Sequence, residues 1–402
     1  MKAAWTDRDD NLADKDGLQL RKVRLTAKQG SKYQNRLVDE FKLVHGQTPS
    51  WAKVEPESKK RKIIEGDEDP ETKGKNLTRG QLRIRRVLDL NNESRESGPI
   101  IRSVRFHPTS QVGLVAGGHG VALYHVDGTT NTKIQSVEFE NFPLRNACFS
   151  TGGEEILVSS GLMGHFYSYD MLSGEITKAK PNRLTEKETI RNLVPSPDKR
   201  FTVGMGHHGN MYLFSSGSKE VIDTLTMNGD VSSVTFNSDG SRMYSYGDLG
   251  EIYTWDMKNR CCVDKFTDHG TVSGTRISVS DEFLACGSNA GVVNIYSNRS
   301  KVPSGAGIRT PEKSLLNLVT PISSLEFNNP AGEILIMSSK DKPNALKMVH
   351  LPSLTVFNNF PFVNTDYGRP NSLAFSPSSG YLAMGNNRGT AMLFRLDHYE
   401  NY

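Results

Sequence analysis

Ile101-Arg-Ser-Val-Arg-Phe106 decides the fold, because the chain repeats it. Six further stretches share its pattern: Leu144-Arg-Asn-Ala-Cys-Phe149, Ile190-Arg-Asn-Leu-Val-Pro195, Val231-Ser-Ser-Val-Thr-Phe236, Val272-Ser-Gly-Thr-Arg-Ile277, Ile322-Ser-Ser-Leu-Glu-Phe327 and Pro370-Asn-Ser-Leu-Ala-Phe375. Their last residues stand 43, 46, 41, 41, 50 and 48 positions apart. A recurring unit of that length is long enough for four short strands and their turns, the period of a propeller blade.

The residues after each stretch come in the same order. A turn is first, as in His107-Pro-Thr-Ser110, Asn237-Ser-Asp-Gly240 and Ser376-Pro-Ser-Ser-Gly380. There Gly supplies positive φ, Pro presets φ, and Asn, Asp and Ser bond their own backbone. A short apolar run succeeds it, such as Leu114-Val-Ala-Gly-Gly118 or Phe283-Leu-Ala-Cys-Gly-Ser288. Next comes a turn with Gly164, Gly209, Gly250, Gly291 or Gly389, and then a third run ending on an aromatic at Tyr169, Trp255, Tyr296 or Phe394. Short β-branched and aromatic runs bounded by turn residues read as strands. Only Trp255-Asp256 carries the full Trp-Asp ending, so the reading rests on seven units in register. It is an all-β, seven-bladed WD-repeat β-propeller over residues 81–402. The last unit holds only three strands, and a strand near 82–90 (Leu82 to Leu90) is expected to complete it. Closure of that kind removes unpaired sheet edges.

Residues 1–80 contain no such unit. Residues 1–99 hold 22 Lys/Arg against 17 Asp/Glu, whereas the rest of the chain holds 27 against 28. The propeller is therefore near neutral and the amino-terminal region carries the excess positive charge. Its low hydrophobicity and mixed charge predict a mostly disordered, partner-binding tail. Tyr33, Leu37, Phe41 and Val44 recur at helical spacing, so a short helix is expected near 31–45. It is too short to be stable alone in water and is expected to form on a partner. Trp5 and Trp51 are isolated in the same tail, where Trp reads as a binding anchor. Trp5, Tyr33, Leu37, Phe41 and Trp51 are thus the candidate partner-binding anchors. Lys59, Lys60, Arg61 and Lys62 form a basic run suited to nuclear import or to RNA contact, and Arg83, Arg85 and Arg86 extend it to the edge of the propeller. Charges on an exposed edge strand serve equally to discourage edge pairing.

Composition narrows the function classes. No run is long enough to span a bilayer, and no secretory leader is expected. Cys148, Cys261, Cys262 and Cys286 have no metal-like spacing and read as reduced thiols. No phosphate loop, His-Glu-x-x-His pair or Gly-x-Ser-x-Gly elbow is present, so neither catalytic residues nor a cofactor are expected. His119, His207 and His208 lie at turns without an accompanying carboxylate at a repeating position, and no metal is expected there.

The tail order Ala4-Trp5, Asp7, Asp9-Asp10, then Glu40-Phe41, then Thr48-Pro49-Ser-Trp51-Ala52, then a basic segment and a propeller, resembles one family of proteins. Ser245-Tyr-Gly-Asp-Leu-Gly-Glu-Ile-Tyr-Thr-Trp-Asp256 is similar to its blades. This is the U-three small nucleolar RNA-associated protein eighteen family, WD-repeat subunits of the small-subunit processome. The resemblance implies a non-catalytic scaffold in a UtpB-type subcomplex of the nucleus and nucleolus, supporting pre-rRNA processing and small ribosomal subunit biogenesis. Implied partners are other propeller subunits, pre-ribosomal RNA and the U-three small nucleolar RNA particle; direct RNA contact is left open. The family's exosome helicase is recruited through a tail motif, Leu-Phe-x-x-Asp. In this chain the letters fit only Leu393-Phe-Arg-Leu-Asp397, inside an expected inner strand, so helicase recruitment is not carried over. The alternative is a WD-repeat substrate receptor of a ubiquitin ligase. Such receptors carry Trp-Asp-x-Arg, where this chain has Trp255-Asp-Met-Lys258, and Lys lacks the planar fork of Arg.

Overall fold

The repeating hexapeptides become the innermost strands of seven four-stranded antiparallel sheets. The computed structural model describes residues 43–44, 77, 80–94, 98–118, 120–181, 188–298, 309–363, 365–399 and 402. The chain divides into two units, Met1–Lys73 and Gly74–Tyr402. In the first, Leu43 and Val44 are helical and exposed. The rest of the expected helix lies outside the described residues.

The second unit is the propeller. Blade 1 runs Ser103–Phe106, Val112–Ala116, Gly120–His125 and Lys133–Glu138 from the inside outward. The innermost strands of blades 2 to 6 are Asn146–Phe149, Asn192–Pro195, Val231–Phe236, Gly274–Val279 and Ser324–Phe327. Blade 7 orders Pro370–Phe375, Tyr381–Asn386 and Ala391–Leu396 outward, and its fourth strand is Ile84–Arg86 from the other end of the unit. Ile84 pairs with Leu396 and Arg86 with Phe394. Regular pairing spans three residues rather than the expected Leu82–Leu90. On one side the backbone of Leu82 turns away to the Asn359 side chain, which binds both its N–H and its carbonyl. On the other, Val87 still donates to Leu393 in the same register, whereas Leu90 donates to Ala391 one residue out of it.

Apolar side chains pack between the blades. Val203, Met205 and Leu213 of blade 3 meet Val234, Met243 and Trp255 of blade 4, and Val104, Val115 and Tyr124 of blade 1 meet Ala374, Ala383 and Leu393 of blade 7. Burying each such side chain contributes about 1.5–3 kcal/mol. Polar side chains on the innermost strands then pin neighbour to neighbour. Ser103 Oγ donates to the Ala147 carbonyl at 2.8 Å, Asn146 Nδ2 to Leu193 at 3.1 Å, and Ser372 Oγ accepts from Val104 N–H at 3.0 Å. The ring is thus held by paired backbone within blades and by hydrophobic contact and side-chain bonds between them.

The glycines between the second and third strands have two physical reasons. Gly209, Gly250, Gly291 and Gly389 sit at positive φ. Gly164 does not, but a Cβ there would lie 2.6 Å from the Glu188 carbonyl oxygen. Both kinds of glycine let one loop press against the next on a single face of the ring.

Candidate interaction face

That face is built from two sets of loops. One set leads into each innermost strand, and the other joins the second strand of a blade to the third. Their backbones are bonded from blade to blade around the ring: Leu144 N–H to Gly118, Gly161 to Ile190, Met227 to Gly209, Asp268 to Gly250, Ile322 to Ser288, and Ile101 to Asn386. Side chains emerging from these loops therefore stand beside those of adjacent blades, although they are far apart in the chain.

On blades 1 to 3 this brings arginines together. Arg102, Arg145 and Arg191 occupy the second position of the repeating stretch in three consecutive blades; Ser232, Ser273, Ser323 and Asn371 take it in the other four. Partial burial, and then repulsion from Arg191 and Arg102, hold the Arg145 guanidinium below its usual range, though it remains a cation. Arg191 Nη2 meets Asp230 Oδ2 at 3.0 Å and also touches His207 Nδ1. Burial and the Arg191 charge lower the basicity of His207, so its imidazole is neutral at neutral pH. Among the described residues, Arg102 and Arg145 have no carboxylate within ion-pair range.

The positive charge continues down the channel. Arg105 of blade 1 pairs with Glu326 of blade 6 at 3.2 Å, reaching past blade 7 across the bore. Arg276 of blade 5 donates through Nε to the Ser323 carbonyl at 2.7 Å. Its guanidinium is lowered to about 10, by burial first and then by Arg105 and Arg145. Burial raises the Glu326 carboxyl and Arg105 opposes that. Clustered guanidiniums with few carboxylates, set in low-dielectric walls, focus a field that attracts anions.

On blades 4 to 6 the same face is apolar. Leu249 is 57% exposed, Val272 90% and Val319 71%. The loops carrying them are contiguous: Asp268 N–H donates to Gly250, Asn289 to Ser273, and Gly291 packs on the Leu318 carbonyl. A buried carboxyl group fixes this half. Asp268 accepts from Tyr246 Oη at 2.6 Å, Tyr296 Oη at 2.5 Å, Thr271 Oγ1 at 2.6 Å and Asn294 Nδ2 at 2.9 Å.

The residues singled out from sequence have a different distribution. Trp5, Tyr33, Leu37, Phe41, Trp51, Lys59, Lys60, Arg61 and Lys62 lie outside the described residues, as does His119. Arg83, Arg85 and Arg86 are exposed on and beside the outermost strand of blade 7, away from the arginine arc. Arg85 pairs with Asp397 at 3.2 Å and Arg86 with Asp89 at 3.0 Å. Leu393 and Phe394 are fully buried in the third strand of blade 7, which leaves their apolar side chains no surface to offer a partner. Trp255 Nε1 donates to Ser245 Oγ within its own blade, and Asp256 accepts from Lys258 N–H and Asn259 Nδ2 to close a turn. Cys148 and Cys286 are buried thiols, Cys261 and Cys262 exposed ones. Among the described residues no three His, Cys, Asp or Glu side chains converge as metal ligands. The arginine arc was visible in the repeating hexapeptides as Arg at the second position of the first three. Its meaning depended on knowing that successive blades are neighbours.

A closed ring of seven four-stranded blades, with charged and apolar loops gathered on one face, defines a WD-repeat-type propeller. No protein-family model matches the chain. It is 37% identical over 422 residues to the mouse U3 small nucleolar RNA-associated protein 18 homolog, covering 99% of this chain and 75% of the relative. Identity is 34% over 430 residues to the Arabidopsis thaliana homolog, covering 99% and 77%. It is 27% over 478 residues to the Saccharomyces cerevisiae protein, covering 99% and 80%. The chain belongs to the U3 small nucleolar RNA-associated protein 18 family.

Proposed function

We propose that this protein is a non-catalytic scaffold of the small-subunit processome, acting in nucleolar pre-rRNA processing and small ribosomal subunit biogenesis. The observation that carries this reading is similarity across nearly the whole chain to relatives named for association with the U3 small nucleolar RNA. The fold supports it: a rigid ring presents many loops at fixed positions, which suits simultaneous contacts with several partners. Those partners are other propeller subunits of a UtpB-type subcomplex and the U-three small nucleolar RNA particle with its pre-ribosomal RNA. Linking a propeller face to tail anchors raises the effective concentration of each, so modest contacts sum to a stable assembly.

In this reading Trp5, Tyr33, Leu37, Phe41 and Trp51 anchor the tail, and Lys59–Lys62 directs the chain to the nucleus. Sedimentation of the tagged full chain from nuclear extract, with and without ribonuclease, tests the reading. Migration in a very large particle containing U-three RNA is expected. A small, ribonuclease-insensitive complex containing a ubiquitin-ligase adaptor would overturn it. Leu37→Ala with Phe41→Ala should reduce incorporation into the particle, and full incorporation would show that the helix is not an anchor.

A further inference from the structure

The interaction face pairs two chemistries that no single small anion needs. Arg102 and Arg145 are open to solvent and unmatched by any described carboxylate, and Arg276 extends their charge into the bore. Across the channel mouth, Leu249, Val272 and Val319 form a contiguous aliphatic arc. We propose that this face docks an acidic peptide segment of a partner protein, with its carboxylates on Arg102 and Arg145 and an aliphatic side chain on Leu249 and Val272. The proposal rests on the reading of the protein as a docking scaffold, but not on which particle it joins.

Charge complementarity selects an anionic occupant. The apolar arc selects between the two anionic macromolecules. Single-stranded RNA is held by stacking its bases on exposed aromatic rings, imidazoles included, or on guanidinium planes, and the apolar arc of Leu249, Val272 and Val319 supplies neither. Every large hydrophobic side chain that is exposed among the described residues is Leu, Ile or Val, and none is Phe, Tyr or Trp. Aliphatic side chains offer no stacking plane, but they do fit the methyl-bearing side chains of a peptide. Arginine grips carboxylates, as it does phosphates, through two parallel N–H donors, so a short acidic run can lie over the basic arc while the aliphatic arc takes its apolar side chain. The two halves thus place the acidic part of one extended chain over blades 1 and 2 and its apolar part over blades 4 and 5.

The test uses the full chain in cells, with a photo-reactive benzophenone side chain placed at Val272. Complexes are isolated after irradiation and the attached molecule is sequenced. The expected product is one recurring peptide, rich in Asp and Glu with a Leu, Ile or Val, and it disappears when Arg102→Glu and Arg145→Glu are added. That segment, made synthetically with a fluorescent label, is then titrated against the purified full chain. The double charge reversal is expected to weaken binding about a hundred-fold, and Val272→Asp about ten-fold. Leu172→Asp, an exposed change on a turn of the opposite face, is expected to leave it unchanged. Attachment to RNA, attachment to a neutral or basic peptide, attachment that survives the charge reversal, or none at all would each overturn the proposal. Because the complexes are identified in the same experiment, an acidic peptide recovered from a particle other than the processome would refute the functional reading while leaving this one standing.

Discussion

The two halves of the candidate interaction face are anchored differently, and each tolerates a different kind of change. The apolar half hangs on Asp268, which is 2% exposed and accepts four side-chain hydrogen bonds from three segments of blades 4 and 5. The basic half hangs on Arg191 and Asp230, a pair whose side chains are 25% and 37% exposed. A buried acceptor shared by several donors holds its loops against large penalties, whereas a half-exposed ion pair is screened by water and salt. The apolar half is therefore a rigid platform, and the basic half is an adjustable, salt-sensitive one.

The sharpest way to break this contrast is Asp268→Ala. It leaves the hydroxyls of Tyr246 and Tyr296 without their acceptor and takes one of two acceptors from the Asn294 amide, and a loss of about 3–5 kcal/mol is expected in denaturant unfolding. A loss below about 1 kcal/mol would show that the network is dispensable. Tyr246→Phe removes one donor and keeps the ring, so a smaller loss, about 1–2 kcal/mol, is expected by the same measurement.

pH separates the halves in opposite directions. Burial first, and then the Asp268 charge, raise the Tyr246 and Tyr296 hydroxyls well above the usual phenol range. Groups whose pKa is raised by folding contribute stability that is complete below their unfolded value, about 10, and is lost as pH climbs above it. The apolar half should therefore loosen in alkali. For Asp230 partial burial pushes the carboxyl up, but the His208 N–H and Arg191 outweigh it and hold it low. Its contribution is present above the unfolded value, about 3.9, and is lost as pH falls below that. Amide hydrogen exchange across pH should show the loops near Val272 opening at the alkaline end and those near His208 at the acid end. The same order at both ends would refute the assignment.

A smaller effect again is expected of Asp230→Ala. A half-exposed pair of this kind contributes about 0–1 kcal/mol, and added salt should narrow the difference from the parent protein to what the lost His208 N–H bond accounts for. A loss as large as that of Asp268→Ala would abolish the contrast between the halves. On the apolar side Val272→Asp should cost less than about 0.5 kcal/mol of stability, since a side chain 90% exposed buries almost nothing, so any loss of partner binding reports the surface itself.

Part of this molecule was legible in the chain. A hexapeptide returning every 41 to 50 residues, succeeded in most units by turn, apolar run, glycine turn and aromatic ending, determines four-stranded blades, because each step limits the local backbone. Three strands in the last unit call for a fourth from elsewhere, and Ile84–Arg86 fills that place. The regular pairing is short because Asn359 binds Leu82 in place of the ladder, a contact across 277 residues that no local pattern encodes.

The interaction face belongs to the tertiary structure alone. Arg102, Arg145 and Arg191 are more than forty residues apart in sequence and repel one another only because ring closure places successive blades side by side. Asp268 looks in sequence like a turn residue, and its role depends on burial among tyrosines from two blades. Leu249, Val272 and Val319 look like scattered aliphatics until the ring brings their loops to one side. Local backbone preference determined the strands and turns within each blade. Which side chains meet across blades was decided by packing the blades into a closed ring, since contacts between distant residues depend on that geometry.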